Sequence, residues 1–164
     1  MAQYQATIVA PVPISEAFDY LARFSSTAEW DPGVHDAEMV TPEPVGIGSA
    51  FRVVTSFAGR KLPLRYEITE FDRPYRVTVR AENGSTVSED TITFTPSDRR
   101  AGDPVGPDGA RTEVRYDADL RLKGAFRVLD PVIGLLFNRI GDRAAGGLRA
   151  ALLDRAEPVD PPAT

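Results

Sequence analysis

Cysteine is absent from this chain of 164 residues, and histidine and tryptophan occur once each. Without a thiol there are no disulfide frameworks, thiol nucleophiles or zinc–thiolate centres. A single histidine beside scattered carboxylates offers no metal-ligand spacing, so no metal site is expected. No Ser-His-Asp set assembles around it unless the acid is chosen freely, and no glycine loop that could cradle a phosphate precedes a helix. No cofactor is expected.

Positive charge is also scarce. The 19 Lys and Arg stand against 24 Asp and Glu, a net charge of −5. Phosphate contacts need concentrated Lys and Arg, so nucleic acid is not an expected partner. The arginines often sit beside acids, as in Glu70-Phe71-Asp72-Arg73 and Ser97-Asp98-Arg99-Arg100, and read as a solvated face. No segment approaches the roughly 20 apolar residues of a membrane span, and Met1 to Val9 lacks the basic start and apolar run of a signal peptide. An integral membrane segment is therefore not expected, and a cytoplasmic location is. With 42% hydrophobic and 26% charged residues, the composition is that of an ordinary globular chain long enough for one domain.

What the chain does have is two distinct periodicities. Residues 2 to 10 form a β-branched and aromatic run ended by Pro11 and Pro13, which remove backbone donors. A short helix follows through Phe18 and Leu21, capped by Ser15 or the preceding turn. A second helical turn starts near Ser25-Ser26 and stops at Trp30-Asp31-Pro32-Gly33, because a residue before proline leaves the α region. From Val34 to about Leu120, turn residues divide the chain into six extended segments. Residues 97 to 111 read as a hairpin loop much longer than its neighbours. After Leu122 apolar residues recur at three and four: Phe126, Leu129, Ile133, Leu136, Phe137, Ile140, Ala144, Leu148, Leu152. Asp130-Pro131 either starts this helix or kinks a longer one, the first being favoured. Gly134, Gly141, Gly146 and Gly147 each cost about 1 kcal/mol against alanine in a helix, so close backbone approach or looseness must explain them. The domain is expected over residues 1–156, with 157–164 a frayed tail.

Alternation along the strands separates two faces. The apolar face collects Phe51, Val53 and Phe57; Leu62, Leu64, Tyr66 and Ile68; Tyr75, Val77 and Val79; Ile92 and Phe94; and Val114, Tyr116, Ala118 and Leu120. The other collects Arg52, Arg65, Glu67, Arg76, Arg80, Glu113 and Arg115 among others. An apolar sheet face must pack on something, and the C-terminal helix is the only long amphipathic partner. The expected fold is α+β: a seven-stranded curved antiparallel sheet wrapping a long C-terminal helix, with two short helices between strands 1 and 2. One helix cannot fill the concave side of such a sheet, so an internal cavity with an aromatic lining is expected.

This order of elements resembles the START-like (SRPBCC) superfamily of helix-grip domains, the polyketide cyclases, dehydrases and lipid-transport proteins. The residues that carry the likeness are Ala10 to Leu21 at the entry to the first helix, Glu29 to Val34 at the turn into the second strand, and the glycine turn Val45 to Phe51. The resemblance covers about residues 1 to 156 and implies a hydrophobic small-molecule ligand; it supplies no catalytic motif. The expected lining is Trp30, Phe51, Val53, Phe57, Leu64, Tyr66, Ile68, Val77, Val79, Ile92, Phe94, Val114, Tyr116, Phe126, Leu129, Ile133 and Phe137.

Two residues are candidates for proton transfer. His35 would share a face with Ala37 and Met39 on a regular strand, either near the cavity mouth or as a partly exposed strand-end residue. Asp90 shares a face with Ile92 and Phe94, where an unpaired carboxylate is costly, so it either lies at the open end of the cavity or has a partner. Binding or carriage of a lipid, isoprenoid or polyketide-like molecule is the favoured function. A cyclase or dehydratase using the same cavity, and an interaction module with a filled core, are the alternatives.

Overall fold

The two periodicities build one sheet and one long helix. The computed structural model describes residues 2–57, 60–97, 109–124 and 130–156, leaving out the side chains at 57, 60 and 130–137. Strand β1 spans Ala2–Ala10, helix α1 Ile14–Ala22, a 3-10 turn Phe24–Ser26 and helix α2 Thr27–Trp30. Then come β2 (Val34–Met39), β3 (Ala50–Phe57), β4 (Arg60–Asp72), β5 (Arg76–Glu82), β6 (Thr86–Pro96), β7 (Thr112–Leu122) and α3 (Asp130–Asp154). The strands form a seven-stranded antiparallel sheet in the order β1-β7-β6-β5-β4-β3-β2. Residues 98–108 of the long loop and the tail 157–164 lie outside the described residues. Among the described residues no helix is long and apolar enough to cross a membrane.

Helix α1 starts two residues earlier than a Ser15 cap would have it. Pro13 holds the half-in position with φ −58° and ψ 148°, and the Ala17 amide donates to its carbonyl at 3.0 Å. No side chain caps the helix, and Ser15 lies within its first turn. At the end of α2, the Asp31 carboxylate accepts the Gly33 amide at 2.7 Å, which folds the chain into β2.

Two bulges reset the alternation. One lies between Val34 and Asp36, the other between Ile68 and Glu70. The second adds a residue at Thr69, so Ile68 and Phe71 can both turn inward although an odd interval separates them. Tyr75, expected on the inner face with Val77 and Val79, is instead 53% exposed. It belongs to the turn ahead of β5, where its amide donates to the Asp72 carbonyl at 2.7 Å, so strand alternation does not govern it.

The outer face is the solvated one. Arg52 pairs with Asp36 at 2.7 Å and Glu38 at 2.6 Å, Arg80 with Glu82 at 2.7 Å and Glu89 at 3.1 Å, and Arg115 with Asp117 at 2.9 Å. Exposed pairs like these contribute little to stability individually, roughly 0 to 1 kcal/mol.

Helix α3 begins at Asp130 with Pro131 in its first turn and packs on β1 and α2. Leu148 and Leu152 are fully buried on it. Two of its glycines sit at close approaches: a β-carbon on Gly141 would lie 2.4 Å from the Tyr4 ring, and one on Gly147 would lie 1.9 Å from the Trp30 carbonyl oxygen. The C-terminal end is held by Arg155, whose guanidinium stacks 3.5 Å above the Tyr20 ring. Glu29 accepts from both of these residues, Tyr20 at 2.9 Å and Arg155 at 3.3 Å.

Candidate functional site

The concave face of the sheet is filled in one part and hollow in another. In the filled part Phe18 of α1 meets Phe71 and Phe94 edge-on, with ring centroids 5.2 and 5.3 Å apart. Phe18 and Phe94 are fully buried and each supplies roughly 1.5 to 3 kcal/mol through burial, while Phe71 is partly buried against them. Against α3 the packing opens into a cavity of about 160 Å³. The helix contributes Gly141, Ala144 and Ala145 to its wall alongside Ile140 and Leu148. Small residues stand where longer ones would reach the sheet.

Strand β6 shows the change along a single row of side chains. Its inward residues run Thr86, Ser88, Asp90, Ile92 and Phe94, all buried. The first three border the cavity and the last two do not. Tyr66 from β4 donates its hydroxyl hydrogen to Ser88 Oγ at 2.9 Å. Trp30 at the end of α2 stands edge-on to Tyr116 of β7, with centroids 5.9 Å apart. Trp30 is 6% exposed, and its indole Nε1–H has no hydrogen-bond partner among the described residues.

Burial dominates the electrostatics here. It pushes the Asp90 carboxyl up to about 7; the negative charges of Asp31, Asp119 and Glu89 add to this, and a hydrogen bond from Tyr116 opposes it. Burial also raises Asp31, against the stabilising Gly33 amide. The Tyr66 and Tyr116 hydroxyls are raised by burial first and by the nearby Asp90 second. Asp90 can therefore donate or accept a proton near neutrality, Trp30 can donate a hydrogen bond, and the remaining wall is mostly apolar.

Of the expected lining, Trp30, Val53, Tyr66 and Tyr116 border the cavity, and so does Asp90. Phe51, Leu64, Ile68 and Val77 are buried but do not border it. The same holds for Val79, Ile92, Phe94 and Val114, because they belong to the filled core. Phe126 and Leu129 lie outside the described residues. Phe57 ends β3 and Ile133 and Phe137 lie on α3, with only their backbone described.

His35 does not share the inward face of Ala37 and Met39. It sits in the β2 bulge and is exposed; it does not itself border the cavity, and its Nε2 contacts Ser56 Oγ of a residue that does. Wall residues not singled out from sequence include Tyr4, Phe24, Asp31 and Ser88. A signal for part of this was available: Thr86, Ser88 and Asp90 are consecutive polar residues on a face that is apolar from Ile92 onward.

A comparison with curated proteins found no match. Among solved structures, a START superfamily protein from Mycobacterium smegmatis is similar with TM-score 0.70 and 14% identity, over 93% of this chain and 97% of that one. A protein from Thermus thermophilus reaches TM-score 0.73 at 18% identity, over 94% and 99%. The Zhui aromatase/cyclase from Streptomyces sp. R1128 reaches 0.66 at 15% identity, over 94% and 92%. At these identities the likeness is one of fold, the helix-grip arrangement of curled sheet and C-terminal helix. The sequence itself matches the family described as "Polyketide cyclase / dehydrase and lipid transport" over residues 1–156, and the chain belongs to that family.

Proposed function

We propose that this domain binds and carries a small, mainly apolar molecule in the cavity between the sheet and α3. The observation that carries the reading is the hollow itself, lined mostly by apolar side chains with the polar groups of Trp30, Tyr66, Ser88, Tyr116 and Asp90 among them. An apolar cavity of about 150 Å³ accepts a benzene-sized guest, so the body of the ligand here is about one ring in size. A few placed polar groups within apolar walls orient such a guest. Family membership supports the reading, since the family description names both cyclisation and lipid transport.

A second reading is favoured by one residue. Asp90, buried in the wall with its carboxyl near neutrality, fits a general acid or base, and one similar structure is an aromatase/cyclase. Binding ranks first because the other proton-transfer candidate, His35, lies outside the cavity wall.

Filling the cavity tests the reading. Ala144→Leu places three more carbons in the hollow and should remove at least nine-tenths of the bound small molecule recovered by organic extraction and mass spectrometry. The variant should still fold, as judged by circular dichroism. Equal recovery from both proteins would place the ligand elsewhere.

A further inference from the structure

The charge of the cavity wall is one-sided. Among the described residues the wall contains two carboxyls, Asp31 and Asp90, and no Lys or Arg. Asp90 is 7% exposed, and among the described residues neither carboxyl forms an ion pair. Aromatic rings of Phe24, Trp30, Tyr66 and Tyr116 also border the same space. Ring faces attract cations, most strongly where water is excluded. A carboxylate ligand would meet two acids and no counter-charge, whereas an ammonium would find a carboxyl and aromatic faces together.

The buried indole is an independent second requirement. Trp30 Nε1–H is a donor only, and burial without an acceptor is costly, so the guest must bring an acceptor atom.

From these two observations we infer that the cavity selects a small protonated amine with an apolar body of about one ring, its ammonium on Asp90 and an acceptor oxygen on the Trp30 indole; this rests on the cavity being the ligand site. Fatty acids and other carboxylate-headed lipids are the wrong charge for it. The titratable groups whose charge or hydrogen bonding reaches Asp90 are Tyr66 from β4, Tyr116 and Asp119 from β7, Asp31 from the turn after α2, and Glu89, which lies on the outer face of the same strand. The α3 residues in the wall, Ile140, Gly141, Ala144, Ala145 and Leu148, carry no titratable group.

Three probes that share a phenoxy body separate the possibilities: 2-phenoxyethylamine, 2-phenoxyethanol and phenoxyacetate, titrated calorimetrically into the full chain. The amine should bind at least about tenfold more tightly than the alcohol, with the carboxylate weakest. Amine affinity should rise up to about tenfold between pH 6 and pH 8 as Asp90 ionises, while alcohol affinity stays flat. Asp90→Asn should abolish the amine's advantage over the alcohol, with circular dichroism reporting that the variant is folded; an amine advantage that survives in the folded variant overturns the ammonium–Asp90 contact. If the alcohol or phenoxyacetate binds as well as the amine, amine selection is overturned and the cavity remains a binding site. If none of the three binds, the cavity reading itself falls.

Discussion

Asp90 is a residue at which stability and binding oppose each other. Its carboxyl titrates near 7 in the folded protein and at 3.8 in the ordinary state, so folding favours its protonated form. The sign follows from that order. The group costs the fold nothing below pH 3.8, costs progressively more as pH rises, and reaches its full cost, about 4 kcal/mol, once the folded-state carboxyl is ionised above pH 7. Asp90→Asn mimics the protonated form. Thermal melts should therefore show the variant more stable than the parent at pH 8, with the difference closing toward pH 4; a gap independent of pH would contradict the assignment. From sequence, Asp90 is legible as a carboxyl on an apolar face, but not as part of a cavity wall. Alternation tells which side of a strand a residue is on, and nothing about whether the space opposite is filled. That is why Ile92 and Phe94, on the same row, were expected as lining and turn out to be packed core.

At the scale of elements, α3 owes its placement to where it has no side chain. Gly147 meets the Trp30 carbonyl and Gly141 meets the Tyr4 ring, whereas a β-carbon on Gly146 would meet nothing within 4 Å. Gly146 and Gly147, neighbours in sequence, should respond oppositely to the same substitution. Gly146→Ala should gain up to about 1 kcal/mol of helix propensity, which in a chain of this size raises Tm by about 2–4 °C. Gly147→Ala gains the same propensity but forces α3 away from a rigid backbone carbonyl at a cost of about 1–3 kcal/mol, for a net loss of up to about 2 kcal/mol. Thermal melts of the pair decide this, and a reversed order would contradict the packing. The strands and the long helix were readable because periods of two and of three to four leave separate marks. The bulges in β2 and β4 were not, since one extra residue changes the phase without changing composition. His35 is the residue whose expected direction this reversed.

On the scale of the whole molecule, the sheet encloses two different interiors: a solid one around Phe18, Phe71 and Phe94, and a hollow one against α3. The first supplies apolar burial whether or not a ligand is present. The second gives up part of that burial and keeps a carboxyl and an unpartnered indole out of water, a costly arrangement for a domain whose only task is to fold. The family fold was legible in the order of elements from β1 to α3. The polarity of the hollow was not, because it arises where Trp30, Tyr66, Asp90 and Tyr116 meet from four elements distant in sequence. A single tryptophan makes the central claim directly observable, since its indole N–H gives one resonance in a proton–nitrogen correlation spectrum. Titration with neutral 2-phenoxyethanol should shift that resonance saturably, and the shift should be lost in Ala144→Leu. A Trp30 indole resonance unmoved at millimolar ligand would contradict the account.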